Sequence, residues 1–66
     1  MPYVNVKVLE KITPEQKEKV IAGVTEVLRK ELGKPPEATY VVIDEVPADN
    51  WGKGGQSMTR KREVSQ

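Results

Sequence analysis

Apolar and polar side chains alternate along residues 3–9, near the start of the chain. Valines occupy every second position, and the other face of the segment carries Tyr3, Asn5, Lys7 and Leu9. A period of two with β-branched residues is typical of a β-strand. We therefore predict a strand over residues 3–9.

The next segment has the spacing of a helix. Its apolar residues fall on one helical stripe, at Val20, Ile21, Val24, Val27, Leu28 and Leu32. Thr13 is a favourable N-cap, Pro14 suits the first helical position, and Gln16 completes a capping box. Gly33 suits the left-handed residue after a helix, and the two prolines beyond it prevent continuation. The pattern predicts one helix from about Pro14 to Leu32.

A second strand is predicted from Thr39 to Val46, where the segment is apolar on both faces and therefore suits burial on both sides. Strand, helix and strand in this order form a βαβ unit with parallel strands and a right-handed crossover. Such a unit leaves one sheet face and two strand edges open, and open edges invite pairing with another chain. We therefore predict an α/β subunit that packs against copies of itself.

Glycines dominate the segment that follows, residues 51–57, and predict a tight turn or a short hairpin. A phosphate-binding loop would need a strand before these glycines and a helix after them. The final residues, 58–66, contain Arg60, Lys61 and Arg62 but show no helical pattern, so we predict a solvated tail. With no repeat or linker, the chain is predicted to be one domain, with a core over 2–57 and a tail over 58–66.

Chain length favours assembly. The 66 residues allow one domain at most, and so small a domain buries only about 60% of its unfolded surface. Cysteine and histidine are both absent, which excludes disulfides and argues against a zinc or iron site. Oligomerisation remains as the route to a larger core, and a marginally stable monomer is the alternative.

The charges are nearly balanced, with 11 basic and 10 acidic residues. This balance does not favour a nucleic acid or a membrane surface as partner, and three cations in the tail are too few to change that. No apolar run approaches the roughly 20 residues of a membrane helix. The N-terminus also lacks the pattern of a signal peptide, and we expect a cytoplasmic location.

Pro2 is the first candidate for chemistry, because it directly precedes the first strand. Removal of Met1 would make its nitrogen a free secondary amine on a rigid strand. An α-amino group titrates at about 7.7–8.0 in model peptides, and a prolyl nitrogen is more basic. It is neutral at pH 7 only in a positive or apolar setting. Such a base can move protons between carbon and oxygen, whereas a Pro2 that keeps Met1 is acylated and idle.

For two further candidate functional sites, a purely structural role is an alternative explanation. Asp44 and Glu45 resemble a paired-carboxylate acid/base site, but adjacent strand residues point to opposite faces and cannot share a proton. A structural role is therefore favoured for both carboxylates. Trp51 is the single tryptophan of the chain, and it suits either an interface anchor or the wall of a pocket.

Together these segments form a specific pattern. It consists of Met1-Pro2, the strand end Val8-Leu9-Glu10, the helix opening Thr13-Pro14-Glu15-Gln16-Lys17, the strand Val41-Val42-Ile43-Asp44-Glu45-Val46, and the turn Asn50-Trp51-Gly52-Lys53-Gly54-Gly55. The chain resembles the 4-oxalocrotonate tautomerase family of the tautomerase superfamily over about residues 2–57.

The resemblance implies a fold, an assembly and a site. Family members lose the initiator methionine and use the proline nitrogen as general base, or as general acid in dehalogenase relatives, without any cofactor. Their βαβ subunits pair into dimers with a four-stranded sheet, and three dimers form a hexamer. Pro2 matches the catalytic proline, and Trp51 matches an aromatic residue that lines the pocket. Gly52, Gly54 and Gly55 match the glycines of the hairpin.

Two departures from the family pattern concern substrate binding. Family members carry an arginine after the first strand, where this chain has Ile12, and another early in the second strand, where it has Tyr40. Neither residue replaces a guanidinium charge, although Tyr40 can donate one hydrogen bond. Lys11 stands one residue before the missing first arginine, but strand alternation points it elsewhere. The usual dicarboxylate substrate is therefore not assured.

The resemblance and the residues together predict a tautomerase for a small 2-keto acid or related carbonyl compound. Pro2 would move the proton, while Tyr40 or backbone N–H groups would stabilise the oxyanion. Trp51 and Ile12 would exclude water from a pocket between subunits, near the N-terminus. One alternative is a subunit of a hetero-oligomer with little activity alone. Another is a hydratase or dehalogenase relative with a cationic Pro2.

Overall fold

A computed structural model describes residues 1–65, with side chains for residues 1–62. Its elements are β1 (Tyr3–Leu9), α1 (Pro14–Leu32), β2 (Tyr40–Val46), β3 (Gly52–Lys53), β4 (Gln56–Ser57) and α2 (Met58–Ser65). Short 3₁₀ turns at Pro36–Ala38 and Ala48–Asn50 flank β2. Among the described helices, none is long and apolar enough to cross a bilayer.

The parallel strands of the predicted βαβ unit are confirmed. β1 and β2 pair in parallel, with Tyr3 opposite Tyr40 at one end and Leu9 opposite Val46 at the other. β3 and β4 pair as a separate antiparallel hairpin. β2 begins one residue later than predicted, because the N–H of Thr39 donates to the carbonyl of Pro36 and closes the preceding turn.

Local capping defines α1 at the predicted bounds. The Oγ1 atom of Thr13 accepts from the N–H of Gln16 at 3.1 Å, and the Oε1 atom of Gln16 accepts from the N–H of Thr13 at 2.9 Å. Gly33 ends the helix at φ 66°, in the left-handed region that glycine adopts without strain. Loss of such an N-cap costs about 1 kcal/mol.

The adjacent carboxylates of β2, Asp44 and Glu45, make contacts on opposite faces of the sheet. Glu45 accepts from the N–H of Ile12 at 3.2 Å and pairs with Lys17, which ties the start of α1 to one face. These contacts, with Lys17 first, hold the pKa of the Glu45 carboxyl below its ordinary value. Asp44 bonds to Asn5 and Lys7 on the other face. The structure therefore gives both carboxylates structural contacts, in line with the prediction.

The face that carries Asp44 is not covered by α1. We call it the open face, and strand alternation places eight residues on it: Tyr3, Asn5, Lys7, Leu9, Tyr40, Val42, Asp44 and Val46. Val42, in the middle of β2, is 43% exposed there. The predicted burial of β2 on both sides is thus not reached within one chain.

The described part of one chain has almost no buried core. Among the described residues only Ala48 is buried, at 5% exposure. The radius of gyration is 15.4 Å, against about 11 Å for a compact domain of this length. The accessible surface is 5170 Å², whereas a compact monomer of this mass exposes about 4,200 Å². The excess is apolar in part, since large side chains on both α1 and the open face remain exposed.

The prediction of a non-helical tail is wrong, because α2 spans Met58–Ser65. The helix has no apolar stripe that periodicity could show, and it is held by hydrogen bonds instead. The Oγ atom of Ser57 accepts from the N–H of Arg60 at 3.1 Å, and the hydroxyl of Thr59 donates to Asp49. The basic residues 60–62 are therefore helical, and Gln66 lies outside the described residues.

The predicted hairpin is confirmed, although the expectation that no helix follows its glycines is wrong. Gly54 and Gly55 form its two-residue turn at φ 62° and 83°, the two positive values that a type I′ turn requires. A helix does follow these glycines, contrary to expectation. They nevertheless connect two antiparallel strands rather than a strand and a helix, so they do not form a phosphate-binding loop.

Candidate active site

Pro2 lies at the amino end of the parallel strand pair. Its carbonyl accepts from the N–H of Tyr40 at 3.0 Å, which fixes Pro2 beside the start of β2. Met1 is 90% exposed and Pro2 is half-buried. Pro2 thus stands between an exposed first residue and the start of β1.

Tyr40 is the predicted site residue that the structure places next to Pro2. It is the first residue of β2 and lies directly opposite Tyr3. Because paired residues of parallel strands share a face, both tyrosines belong to the open face. The backbone of Tyr40 therefore adjoins Pro2, and its side chain shares a face of the sheet with that of Tyr3.

The other predicted site residues lie at the opposite end of the sheet. Lys11 and Ile12 follow β1, and Trp51 follows β2 and its 3₁₀ turn. A strand of seven residues spans about 20 Å at roughly 3.3 Å per residue. Within one chain the structure therefore brings Pro2 and Tyr40 together, but it does not bring Lys11, Ile12 or Trp51 to them.

Trp51 lines an open cleft at this carboxyl end. The cleft has a volume of about 340 Å³ and is lined by Lys7, Val46, Asn50, Trp51 and Gly52. This volume falls in the range of small-molecule sites. Sequence reasoning did not identify Lys7, because its approach to Trp51 depends on the register of β1 with β2. Asn50 directly precedes Trp51 in the chain, but it was not singled out as a lining residue. The sequence signal for Lys7 was the alternation within β1, which places Lys7 on the strand face opposite to that of the valines.

The cleft carries little net charge. Lys7 Nζ lies 2.9 Å from Asp44 Oδ2, and Asn5 Nδ2 donates to the same oxygen at 3.0 Å. The Lys7 ammonium, followed by the Asn5 amide, holds the pKa of the Asp44 carboxyl below its ordinary value. Asp44 is therefore ionised at neutral pH and balances the cation that lines the cleft.

Backbone hydrogen bonds hold Trp51 on both sides. Its N–H donates to the carbonyl of Ala48 at 3.3 Å, and its own carbonyl accepts from the N–H of Met58 at 2.8 Å. The side-chain bond between Thr59 and Asp49 fastens α2 to the same turn. The backbone of Trp51 is thus tied to the first residue of α2, a contact that a sequence pattern does not show.

We expect Thr59→Val to loosen α2 and expose Trp51. A hydrogen bond to this exposed carboxylate contributes at most about 1 kcal/mol, which corresponds to a fall in Tm of up to roughly 4–8 °C. Because Trp51 is the single tryptophan, its fluorescence emission should shift to longer wavelength. Thr59→Ser keeps the hydroxyl and serves as control. An unchanged spectrum in Thr59→Val, or an equal shift in both variants, would contradict this role.

Metal ligands do not converge anywhere in the part of the chain that the structure describes. The described residues contain no group of three or more acidic side chains that could hold an ion, and histidine and cysteine do not occur in the chain. The groups available at the two ends of the sheet are phenols, amides and an ammonium–carboxylate pair, and removal of Met1 would add the Pro2 amine.

Comparison with known proteins agrees on one family. The family model described as "Tautomerase enzyme" matches residues 2–61. "Probable tautomerase K2" of Dickeya dadantii is 52% identical over 64 residues, covering 96% of each chain. The 2-hydroxymuconate tautomerase of Bacillus subtilis is 37% identical over 59 residues, covering 89% of this chain and 95% of the relative.

Solved structures give the same result. The crystal structure of DmpI from Helicobacter pylori has a TM-score of 0.86 and 37% identity, covering 94% of this chain and 97% of that one. A heterohexamer 4-oxalocrotonate tautomerase from Chloroflexus aurantiacus has a TM-score of 0.82 and 27% identity, covering 89% and 95% of the two chains.

Proposed function

The chain belongs to the tautomerase family and is an enzyme of the isomerase class, and we propose that it interconverts the enol and keto forms of a small 2-keto acid or a related carbonyl compound without a cofactor. The observation that carries this proposal is the position of Pro2. It directly precedes β1 and is bonded through its carbonyl to Tyr40. After removal of Met1, its amine would stand at an accessible end of the sheet.

In the proposed reaction the neutral Pro2 amine is the general base. It accepts the proton of the enol hydroxyl and delivers it to the neighbouring carbon, while the C–O bond becomes the carbonyl and the C=C bond becomes single. The phenol of Tyr40, or backbone N–H groups, would donate to the oxygen on which negative charge develops. Protons and electrons balance without any further reactant.

We further propose that each site lies between subunits. Lys7, which lines the cleft at Trp51, is separated from Pro2 of the same chain by about 16 Å along the strand, so the cleft can serve only the Pro2 of another copy. The exposed apolar side chains support burial between chains. We therefore propose a homo-oligomer, a hexamer built from three dimers, located in the cytoplasm. Neither a nucleic acid nor a membrane is proposed as a partner.

A second candidate is a subunit of a hetero-oligomer that has little activity alone. Ile12 and Tyr40 occupy the positions where the family carries arginine, so a companion chain could supply the missing cations. A relative from Chloroflexus aurantiacus is described as a heterohexamer, which supports this alternative. No observation favours the other alternative, in which the chain is a hydratase or dehalogenase relative with a cationic Pro2.

The experiment that tests the proposal is ketonisation of a 2-enol acid, followed in the ultraviolet. It requires protein that intact mass shows to lack Met1. A rate above the uncatalysed background that rises with enzyme concentration would support a tautomerase. Correctly processed protein with no activity would reject turnover of this substrate by the chain alone and favour either an unrelated substrate or the hetero-oligomer, which co-purification of a companion chain would test.

We expect Ile12→Arg to improve the binding of carboxylate substrates. A charge-assisted hydrogen bond to a carboxylate contributes about 1.5–3 kcal/mol, so KM should fall about tenfold or more with a smaller change in kcat. Ile12→Met, which keeps an apolar side chain of similar size, serves as control. An unchanged KM in the arginine variant would show that residue 12 faces away from the site.

A further inference from the structure

One carboxylate of β2 holds the joining segment, residues 10–13, which connects β1 to α1. The Oε2 atom of Glu45 accepts from the N–H of Ile12 at 3.2 Å, a contact between residues 33 positions apart in the chain. The Oε1 atom of Glu45 pairs with the ammonium group of Lys17, near the start of α1. The two oxygens of one side chain therefore connect β2 both to the joining segment and to the helix.

Other contacts hold the two ends of the joining segment. At its first residue, the N–H of Glu10 donates to the carbonyl of Val46 at 3.1 Å and extends the strand pairing by one residue. At its last residue, the capping box with Gln16 fixes Thr13. Between these two ends, the backbone of Ile12 is held by the side chain of Glu45.

The joining segment leaves the sheet beside the cleft at Trp51. Val46, to which Glu10 is bonded, lines this cleft, and Glu45 directly precedes Val46 in β2. Because adjacent strand residues point to opposite faces, Glu45 reaches toward α1 while Val46 faces the cleft. The carboxylate thus holds the backbone at the margin of the cleft from the α1 side of the sheet.

The pair of Glu45 with Lys17 is better shielded from solvent than an ordinary surface pair of the same helix. Its side chains are 27% and 35% exposed, whereas those of Glu15 and Lys19 are 79% and 77% exposed. Solvent and salt screen a partly buried pair less than an exposed one. Lys17 therefore holds one oxygen of the carboxylate, and the other oxygen is directed at the N–H of Ile12.

From these contacts we propose that Glu45 is a positioning residue, which sets residue 12 against the substrate through its bond to the N–H of that residue. This inference rests on the proposed function, in which the side chain of residue 12 lines the site. Glu45 contacts neither the substrate nor Pro2, and it takes no part in the proton transfer. Its loss therefore weakens substrate binding, because the joining segment loses its ordered geometry, and leaves the step at Pro2 nearly unchanged.

Two conservative variants separate this role from that of a charge. Glu45→Asp keeps the charge but is shorter by one methylene group, so it cannot reach both partners. Glu45→Gln loses the charge but keeps an oxygen that reaches the N–H of Ile12. With 2-hydroxymuconate as substrate and protein that lacks Met1, we expect Glu45→Asp to raise KM about 3–10-fold, the equivalent of one hydrogen bond. Its kcat should stay within about twofold.

Glu45→Gln and Lys17→Met are the matched controls. Both remove the ion pair and leave an acceptor for the N–H of Ile12, so Tm should fall while KM stays within about twofold of the wild type. An equal rise of KM in the glutamine and aspartate variants would assign the effect to charge and overturn the proposal. An unchanged KM in Glu45→Asp, or a loss confined to kcat, would also reject it.

Failure of the proposed function gives a different result, since the wild type and all variants then lack turnover. In that case, calorimetric binding of 2-oxoglutarate to Ile12→Arg, with and without Glu45→Asp, decides the matter. Binding that Glu45→Asp weakens about 3–10-fold supports the positioning role, because the arginine then depends on the same hydrogen bond. Equal binding, or no binding to either protein, rejects it.

Discussion

Replacement of Pro2 by alanine is expected to lower kcat for ketonisation by about 10²–10⁴-fold, the contribution that a positioned general base makes. Alanine keeps a free amino group but loses the ring that fixes the nitrogen against β1. The backbone bond from Tyr40 to the carbonyl of residue 2 does not require the proline ring, so the fold should persist. The measurement is the ultraviolet assay on variants whose intact mass shows that Met1 is absent.

Protein that retains Met1 is the matched control for this experiment. It keeps the Pro2 ring and the bond to Tyr40, but its prolyl nitrogen is an amide and cannot accept a proton. We expect this form to be as inactive as Pro2→Ala, with an unchanged circular dichroism spectrum. Full activity with Met1 in place would contradict the proposed role of Pro2 as general base, whatever the result of the alanine variant.

The second large effect is expected from Val42→Lys on the open face. Val42 is 43% exposed in one chain, so a lysine there costs little in an isolated subunit. If another copy covers this face, the variant buries an unpaired charge, which costs about 3–5 kcal/mol. We expect the dissociation constant of the assembly to rise at least about a hundredfold, as measured by analytical ultracentrifugation.

Ala22→Lys provides the control, because it introduces the same charge on the solvated side of α1. Residue 22 lies near the Glu15–Lys19 and Glu26–Arg29 pairs, and a lysine there has Glu18 and Glu26 at i−4 and i+4. This variant should assemble like the wild type. If Val42→Lys also assembles normally, the open face is not an interface, and the subunits pack through α1 or through strand edges.

Local signals in the sequence were sufficient for most of the fold. The capping box at Thr13 and Gln16 and the left-handed residue Gly33 each act within one turn of helix, and the structure confirms the bounds they predict. The alternation of β1 is likewise a local property. Such features can be read without knowledge of the partner strands.

What the sequence did not show depends on contacts between distant residues. α2 has no apolar stripe, and it is held by Thr59 on Asp49 and by Met58 on Trp51. The Lys7–Asp44 pair, which neutralises the cleft, appears only once the strand register is known. The roles proposed for Trp51 and Ile12 are even harder to predict from the sequence. They require a second chain, and no local rule gives its placement.

In the proposed assembly, the near absence of buried residues in the described part of one chain couples folding to mass action. When the buried surface lies between chains, the free energy of unfolding contains the subunit concentration, so Tm rises with protein concentration. Dilution would remove stability and activity together, since each proposed site uses two copies. The amount of enzyme made by the cell would then determine the fraction that is folded, and a low expression level would be equivalent to a destabilising mutation.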